Sequence, residues 1–399
     1  MNIFDRANET MAREQLEQVQ LERVQALMAR LRRNVRRYRE RLGQTRVAHL
    51  EEISKLPLTS PESLIEAFPY GMFALPLREV VRLHSMVGPG GRPIVLGYSR
   101  NDLRQWGRLA ARQLVAAGVN STDVLQIAFE GGMFHAAFGY MLGAELIGAS
   151  VTPQAPFHIE YQLELLRNYR TTVLITTPAN ACALAEQIEA ARIDPQALHL
   201  RTVILSRPVP PKLRENLETA LFAQVRVGFG IEEIAGPGFA VECNHGRFHV
   251  QEDHFYAELV DGELVVTTLV REAMPLLRYR TRIAATLETG RCPCGRSGAW
   301  IEPGRRLDGR MLVNEVPIYR EQIAAVLAAT KAAGQPFRLE IGERGIVIFL
   351  EIAENFFADE MRLLAELKTE IRSEFLGRLG IECEVRYVSN VDSIPPAGA

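Results

Sequence analysis

The sequence predicts an α/β protein with one large domain of layered sheets and helices, followed by a small α+β domain. Three observations carry this. The chain has 399 residues, 47% of them hydrophobic, which is too long for one compact core. From Val80 to about Gly304, short apolar β-branched runs alternate with helical stretches, the pattern of a parallel sheet covered by helices. After Gly304-Arg305 the order becomes strand, strand, helix, strand. The expected boundaries are therefore 1–303 and 304–399. Within the first, 45–240 forms the α/β core and 241–303 a β-rich part.

The elements follow in order. Residues Glu9 to Leu42 read as one long amphipathic helix, with Met11, Leu16, Val19, Val24, Leu27, Met28, Leu31 and Val35 at helical spacing. Its end, Arg30 to Arg41, is rich in arginine and reads as a solvated face balanced by acidic neighbours, with a nucleic-acid contact as the alternative. Val173-Leu174-Ile175 and Val203-Ile204-Leu205 read as buried strands, and Tyr161–Tyr169 and Ala181–Ala191 as helices. Phe248 to Val260 and Gly262 to Leu269 read as antiparallel strands around the Asp261-Gly262 turn. In the small domain, Phe337–Ile341, Ile346–Ile352 and Cys383–Val388 read as strands and Glu360–Leu376 as a helix.

A net charge of −2 and an isoelectric point near 6.5 argue against a general nucleic-acid or membrane binder. No apolar run reaches the ~18 residues of a membrane span. The N-terminus lacks an apolar signal core, so a cytoplasmic location is expected. Lysine is scarce: only Lys55, Lys212, Lys331 and Lys368 occur.

Two patterns point to chemistry on their own. Val81 to Ser99 carries a Gly-rich turn between two strands, Gly88-Pro89-Gly90-Gly91-Arg92. Such a turn can offer backbone N–H groups to phosphate, and an ordinary Gly-Pro turn accounts for it as well. Separately, Cys243 and His249 lie six residues apart, and Cys292 and Cys294 flank Pro293. A Cys₃His set suits a structural zinc. His245 is an alternative to His249, and three plainly buried cysteines are the competing reading. Cys182 and Cys383 read as core residues.

The order and spacing of further blocks carry a resemblance. These are Pro69-Tyr70-Gly71-Met72-Phe73, Tyr98-Ser99, Gly143-Ala144-Glu145, Phe229-Gly230-Ile231-Glu232-Glu233, Gly236-Pro237-Gly238 and Glu252-Asp253-His254-Phe255. Pro275-Leu276-Leu277-Arg278-Tyr279-Arg280-Thr281-Arg282 and Cys292-Pro293-Cys294-Gly295-Arg296 complete the set. Together they resemble the phenylacetate–coenzyme A ligase family of adenylate-forming enzymes, from Glu9 to about Pro395. The resemblance implies that ATP and an aromatic carboxylate give acyl-adenylate and pyrophosphate, and that coenzyme A thiol then displaces AMP. It implies ATP or AMP, magnesium and coenzyme A as ligands, an aromatic acid or CoA thioester as partner, and admits a homodimer. Glu233 matches the magnesium-binding glutamate and Arg92 the loop lysine, the two catalytic candidates. Gly88, Gly90, Gly91, Phe229, Gly230, Glu232, Tyr279 and Arg282 match nucleotide-binding positions.

The same alignment of motifs exposes departures. The family loop Ser-Ser-Gly-Thr-Thr-Gly-Lys-Pro is here Met86-Val87-Gly88-Pro89-Gly90-Gly91-Arg92-Pro93, with hydroxyls lost at Val87, Pro89 and Gly90 and an N–H lost at Pro89. Glu232 stands where a threonine meets the α-phosphate, and a carboxylate there repels phosphate by ~1–4 kcal/mol. Ile283 replaces the aspartate that accepts the ribose hydroxyls, removing two hydrogen bonds of roughly 1.5–3 kcal/mol each. Phe129, Phe134 and Phe138, around Glu130-Gly131-Gly132-Met133, are candidates for an aromatic acyl pocket or plain core. Met141 takes a usual histidine position. The family continues past Ile394-Pro395 into a Gly-Lys segment, whose lysine is expected to be missing after Pro396-Ala397-Gly398-Ala399. The expectation is a non-classical or inactive homologue that binds an acyl group, CoA or nucleotide; the alternative is an active AMP-forming ligase.

Overall fold

The structure, a computed structural model, describes residues 2–129, 134–153, 158–313, 316–342, 345–352 and 361–394. Its contacts form two compact units, Met1–Gly88 with Pro93–Leu307, and Pro89–Arg92 with Asp308–Ala399.

The large unit holds a five-stranded parallel sheet in the order Ser150–Pro153, Val124–Ala128, Val173–Thr176, Thr202–Leu205, Gln224–Val227. All four residues of Val173–Thr176 and of Thr202–Leu205 are buried. Helices cover both faces, so these strands read as continuous apolar runs rather than alternating ones. A six-stranded antiparallel sheet follows, ordered Phe255–Val260, Glu263–Thr268, Tyr279–Glu288, Trp300–Arg306, Phe248–Val250, Ala240–Glu242. A hairpin pairs Arg82–Val87 with Pro93–Tyr98.

The N-terminal segment differs from the single helix expected. It forms Arg6–Glu9, Arg13–Asn34 and Arg36–Leu42, broken at Val35, which is extended. The arginines of this region close the break. Arg39 donates to the carbonyls of Arg32 and Arg33, Arg32 donates to those of Gly43 and Thr45, and Arg37 pairs with Glu66 at 2.7 Å. Free helix-end carbonyls need such donors.

The reading of Phe248 to Val260 as one strand is also revised. The strand stops at Val250 and resumes at Phe255. Between them Glu252-Asp253-His254 turns inward. Asp253 meets Arg112 in a two-pronged pair, Nη1 to Oδ1 at 2.8 Å and Nη2 to Oδ2 at 2.9 Å. Arg112 is 1% exposed and Asp253 4%. Burial alone would raise the Asp253 carboxyl, but His254 and Arg112 overcome that and hold it far below the carboxylate range. Arg112 also reaches Asp5, and Arg13 holds both Glu252 oxygens at 2.9 Å. This network fastens the N-terminal helices to the helix Arg100–Ala116 and to the antiparallel sheet.

The small unit has a three-stranded sheet of Phe337–Gly342, Gly345–Glu351 and Cys383–Val388. The last two strands are parallel and are joined through Met361–Leu379, the crossover helix that parallel pairing requires. Ile323, Val326, Ile348, Leu350, Ile371, Phe375 and Val385 fill its core. The strands fall where the sequence places them, while Glu360 lies outside the described residues. No described helix is long and apolar enough to cross a membrane.

The Arg112 pair yields a first prediction. Arg112→Met leaves Asp253 buried without its cation and costs about 3–5 kcal/mol in chemical denaturation. Arg112→Met with Asp253→Leu recovers part of that loss. A single variant as stable as the wild type would contradict the assignment.

Candidate active site and metal centre

The hairpin Arg82–Val87/Pro93–Tyr98 carries the Gly-rich turn. Gly90 and Gly91 adopt φ of 68° and 75°, a region open to glycine at little cost, so those two positions are fixed by the turn itself. Gly88 is buried and Arg92 is exposed.

In the large unit, the buried Tyr279 hydroxyl donates to Glu233 Oε1 at 2.9 Å. The main-chain oxygen of Glu233 accepts from Arg271 Nη1 at 2.5 Å. Arg271 also donates to Ile234 O and Gly97 O and lies over the Tyr98 ring at 4.7 Å. The guanidinium thus ties the Glu233 turn to the hairpin. A side chain at Gly230 would strike Gly236 Cα at 2.6 Å and Ala235 O at 2.7 Å, so glycine is required there. The Phe229 ring packs against Phe239 and Phe248 within the main apolar cluster.

The other motif side chains are engaged in ion pairs. Arg282 Nη2 lies 3.1 Å from Glu62 Oε2, and Arg280 Nε donates to Glu263 Oε2 at 2.7 Å. Ile283, 8% exposed, belongs to the same apolar cluster as Tyr279 and pairs in register with Arg306. Glu232 Oε1 lies 3.6 Å from His135 Nε2, within ion-pair reach when the imidazole is protonated.

Sequence reasoning did not single out His84, Trp106 or Arg271. The His84 ring centroid lies 5.2 Å from Tyr98, 5.9 Å from His135, 5.9 Å from Phe138 and 6.1 Å from Trp106. Arg82 stacks over Phe138 at 4.6 Å. Burial, then the electrostatic effect of His135, Arg82 and Arg271, lowers the His84 pKa to about 4. The imidazole is therefore neutral near pH 7, and its buried Nδ1 has no hydrogen-bond partner among the described residues. A lone histidine in a strand gives no periodic signal, so only the fold could reveal this cluster.

Of the candidate pocket phenylalanines, Phe138 joins this ring cluster. Phe129 packs on Tyr140 in the core of the parallel sheet, where Met141 also packs. Residues 130–133, the Phe134 side chain and 395–399 lie outside the described residues.

Cys243, His249, Cys292 and Cys294 converge, their ligand atoms all within 4.8 Å of one another. Cys243 Sγ lies 3.9 Å from Cys292 Sγ, and Cys294 Sγ 3.4 Å from His249 Nε2. A tetrahedral zinc with bonds of about 2.3 Å to sulfur needs edges of about 3.8 Å, so the donors fit such an ion. His249 Nδ1 faces Gly298 O at 2.9 Å; with its proton there, Nε2 keeps its lone pair for a metal. Burial lowers the His249 pKa to about 4, favouring the neutral ring a ligand must have. Burial raises the Cys294 thiol to about 11, a preference that a bound cation reverses. His245 is not a member of the set, although its backbone N–H donates to Cys243 Sγ.

No family model matches the chain. It is 33% identical over 395 residues to a phenylacetate–coenzyme A ligase of Thermus thermophilus, covering 94% of this chain and 85% of that one. It is 34% identical over 366 residues to a phenylacetate–coenzyme A ligase of Pseudomonas putida, covering 86% and 82%. A crystal structure of 2-hydroxyisobutyryl-CoA ligase, in complex with 2-HIB-AMP and CoA, matches at a TM-score of 0.85 and 21% identity over 98% of this chain and 90% of that one. The fold is that of the adenylate-forming CoA ligases, and by its sequence relatives the chain belongs to the phenylacetate–coenzyme A ligase family.

Proposed function

We propose that this chain is a family member that binds an aromatic acyl group or a CoA thioester but has lost efficient adenylation. The single observation that carries the reading is Ile283. Its side chain lies in the apolar core at the position where the family resemblance expects a ribose-binding carboxylate. Two hydrogen bonds to a charged acceptor are worth roughly 3–6 kcal/mol together, enough to remove useful nucleotide affinity. Glu232, beside His135, adds a carboxylate where the family meets the α-phosphate. The altered turn at Val87, Pro89 and Gly90 offers fewer donors.

A second reading, an active AMP-forming aryl-acid–CoA ligase, is favoured by the hydrogen bond between Tyr279 and Glu233. A carboxylate is the kind of oxygen ligand a magnesium ion needs. The Cys243–His249–Cys292–Cys294 set would hold a structural zinc, whose chemistry is to crosslink two loops. Its four donors leave no open coordination position for a substrate.

Two measurements test these proposals. Pyrophosphate exchange into ATP, run with a panel of arylacetic and benzoic acids and magnesium, is expected to stay at background. Acid-dependent exchange at the level of an active ligase would establish the second reading instead. Metal analysis of purified protein is expected to give about one zinc per chain, and Cys292→Ser to lower both the zinc content and the melting temperature. Zinc-free protein of unchanged stability would remove the metal site.

A further inference from the structure

A cavity of about 510 Å³ lies away from the Tyr279–Glu233 region. Its lining includes Arg201, Arg226, Arg296, Gln224 and Asn244, and no carboxylate. The arginines come from three places: the residue before the strand Thr202–Leu205, the strand Gln224–Val227, and the turn after Cys294. Gln224–Val227 is an edge strand, so no further strand covers this side.

Two of the arginines are partly spent. Arg201 donates through Nε and Nη2 to Asp123 and through Nη2 to Gly118 O. Arg296 donates through Nε to Glu9 and through Nη2 to Asn2 O. Among the described residues, neither shows a hydrogen-bond partner for Nη1. Arg226 has no acidic partner among the described residues, and its Nε is buried without a hydrogen bond. A buried charged donor left unpaired is costly. The helix Arg100–Ala116 also ends at this cavity, and free C-terminal carbonyls would oppose an anion. Three of them are answered. The N–H groups of Ala117, Gly118 and Val119 bond back to Gln113, Val115 and Leu114, and Arg201 covers Gly118 O.

We propose that this cavity is a second ligand site, which takes the phosphate group of a small organic phosphate monoester. A phosphate offers acceptor oxygens in several directions, matching guanidinium groups from separate elements, and guanidinium binds it through paired N–H groups. The volume suits a small phosphorylated molecule. The neutral donors Gln224 and Asn244 complete the wall.

The test is calorimetric titration of the full chain with ribose 5-phosphate, inorganic phosphate and citrate, in parallel on wild type, Arg226→Met and Gln224→Glu. Gln224 is exposed, so its variant adds a negative wall charge without disturbing packing and keeps the test valid if Arg226→Met fails to fold. Saturable binding of ribose 5-phosphate, weakened at least about tenfold by each folded variant, is the expected result. Binding of inorganic phosphate alone, with the same losses, would assign the free anion as the source of the phosphate group. No binding by either phosphate probe, binding of citrate only, or phosphate binding unchanged in the folded variants would overturn the proposal.

Discussion

The paired Arg112 and Asp253 side chains constrain the large unit more than any other contact. Both are buried, and each satisfies the other through two parallel hydrogen bonds. To bring Asp253 to Arg112, the chain must interrupt the run from Phe248 to Val260. The interruption turns Glu252 toward Arg13 and toward the N–H of Ala299. It also offers the carbonyls of Glu252 and Phe255 to Gln20. The N-terminal helices, the helix Arg100–Ala116 and the antiparallel sheet thus share one anchor. Such a buried pair adds little net stability over an apolar replacement, so its contribution here is to fix register and position.

The candidate site is built on the same economy of charge. Arg278 is taken by Glu258, Arg280 by Glu263 and Arg282 by Glu62. Arg271 is spent on main-chain oxygens and the Tyr98 ring. The hydrogen bond between Tyr279 and Glu233 survives in the middle of this scaffold. The same unit holds an apolar side chain at Ile283, a carboxylate at Glu232 and a neutral, half-buried His84. The fold of an adenylate-forming enzyme persists, and the proposed loss of adenylation rests on the side chains at Ile283 and Glu232.

Much of the fold was legible in the sequence, because hydrophobic pattern dictates it. The apolar β-branched runs Val173-Leu174-Ile175 and Val203-Ile204-Leu205 read as strands covered on both faces. The small unit's strands announce themselves through β-branched residues. The helix break at Val35 was not legible, since Val35 keeps the apolar spacing and only the arginine caps around it stabilise the turn. The split at residues 251–254 was hidden for a related reason: polar residues there read as exposed until Arg112, far away in sequence, is placed beside them. Within the site, residues tied to a motif could be nominated. His84, Trp106 and Arg271 could not, because their roles arise from packing between distant elements. Spacing nominated the Cys₃His set, and the fold brings its four members together.

The central claim is that Ile283 and Glu232 together deprive the family scaffold of its nucleotide. Titration of AMP into the wild type and into the Glu232→Thr/Ile283→Asp double variant, followed by calorimetry, addresses it most directly. The account predicts no saturable heat for the wild type at millimolar AMP and saturable binding once both residues are exchanged. Micromolar binding of AMP by the wild type, unchanged in the folded double variant, would contradict it.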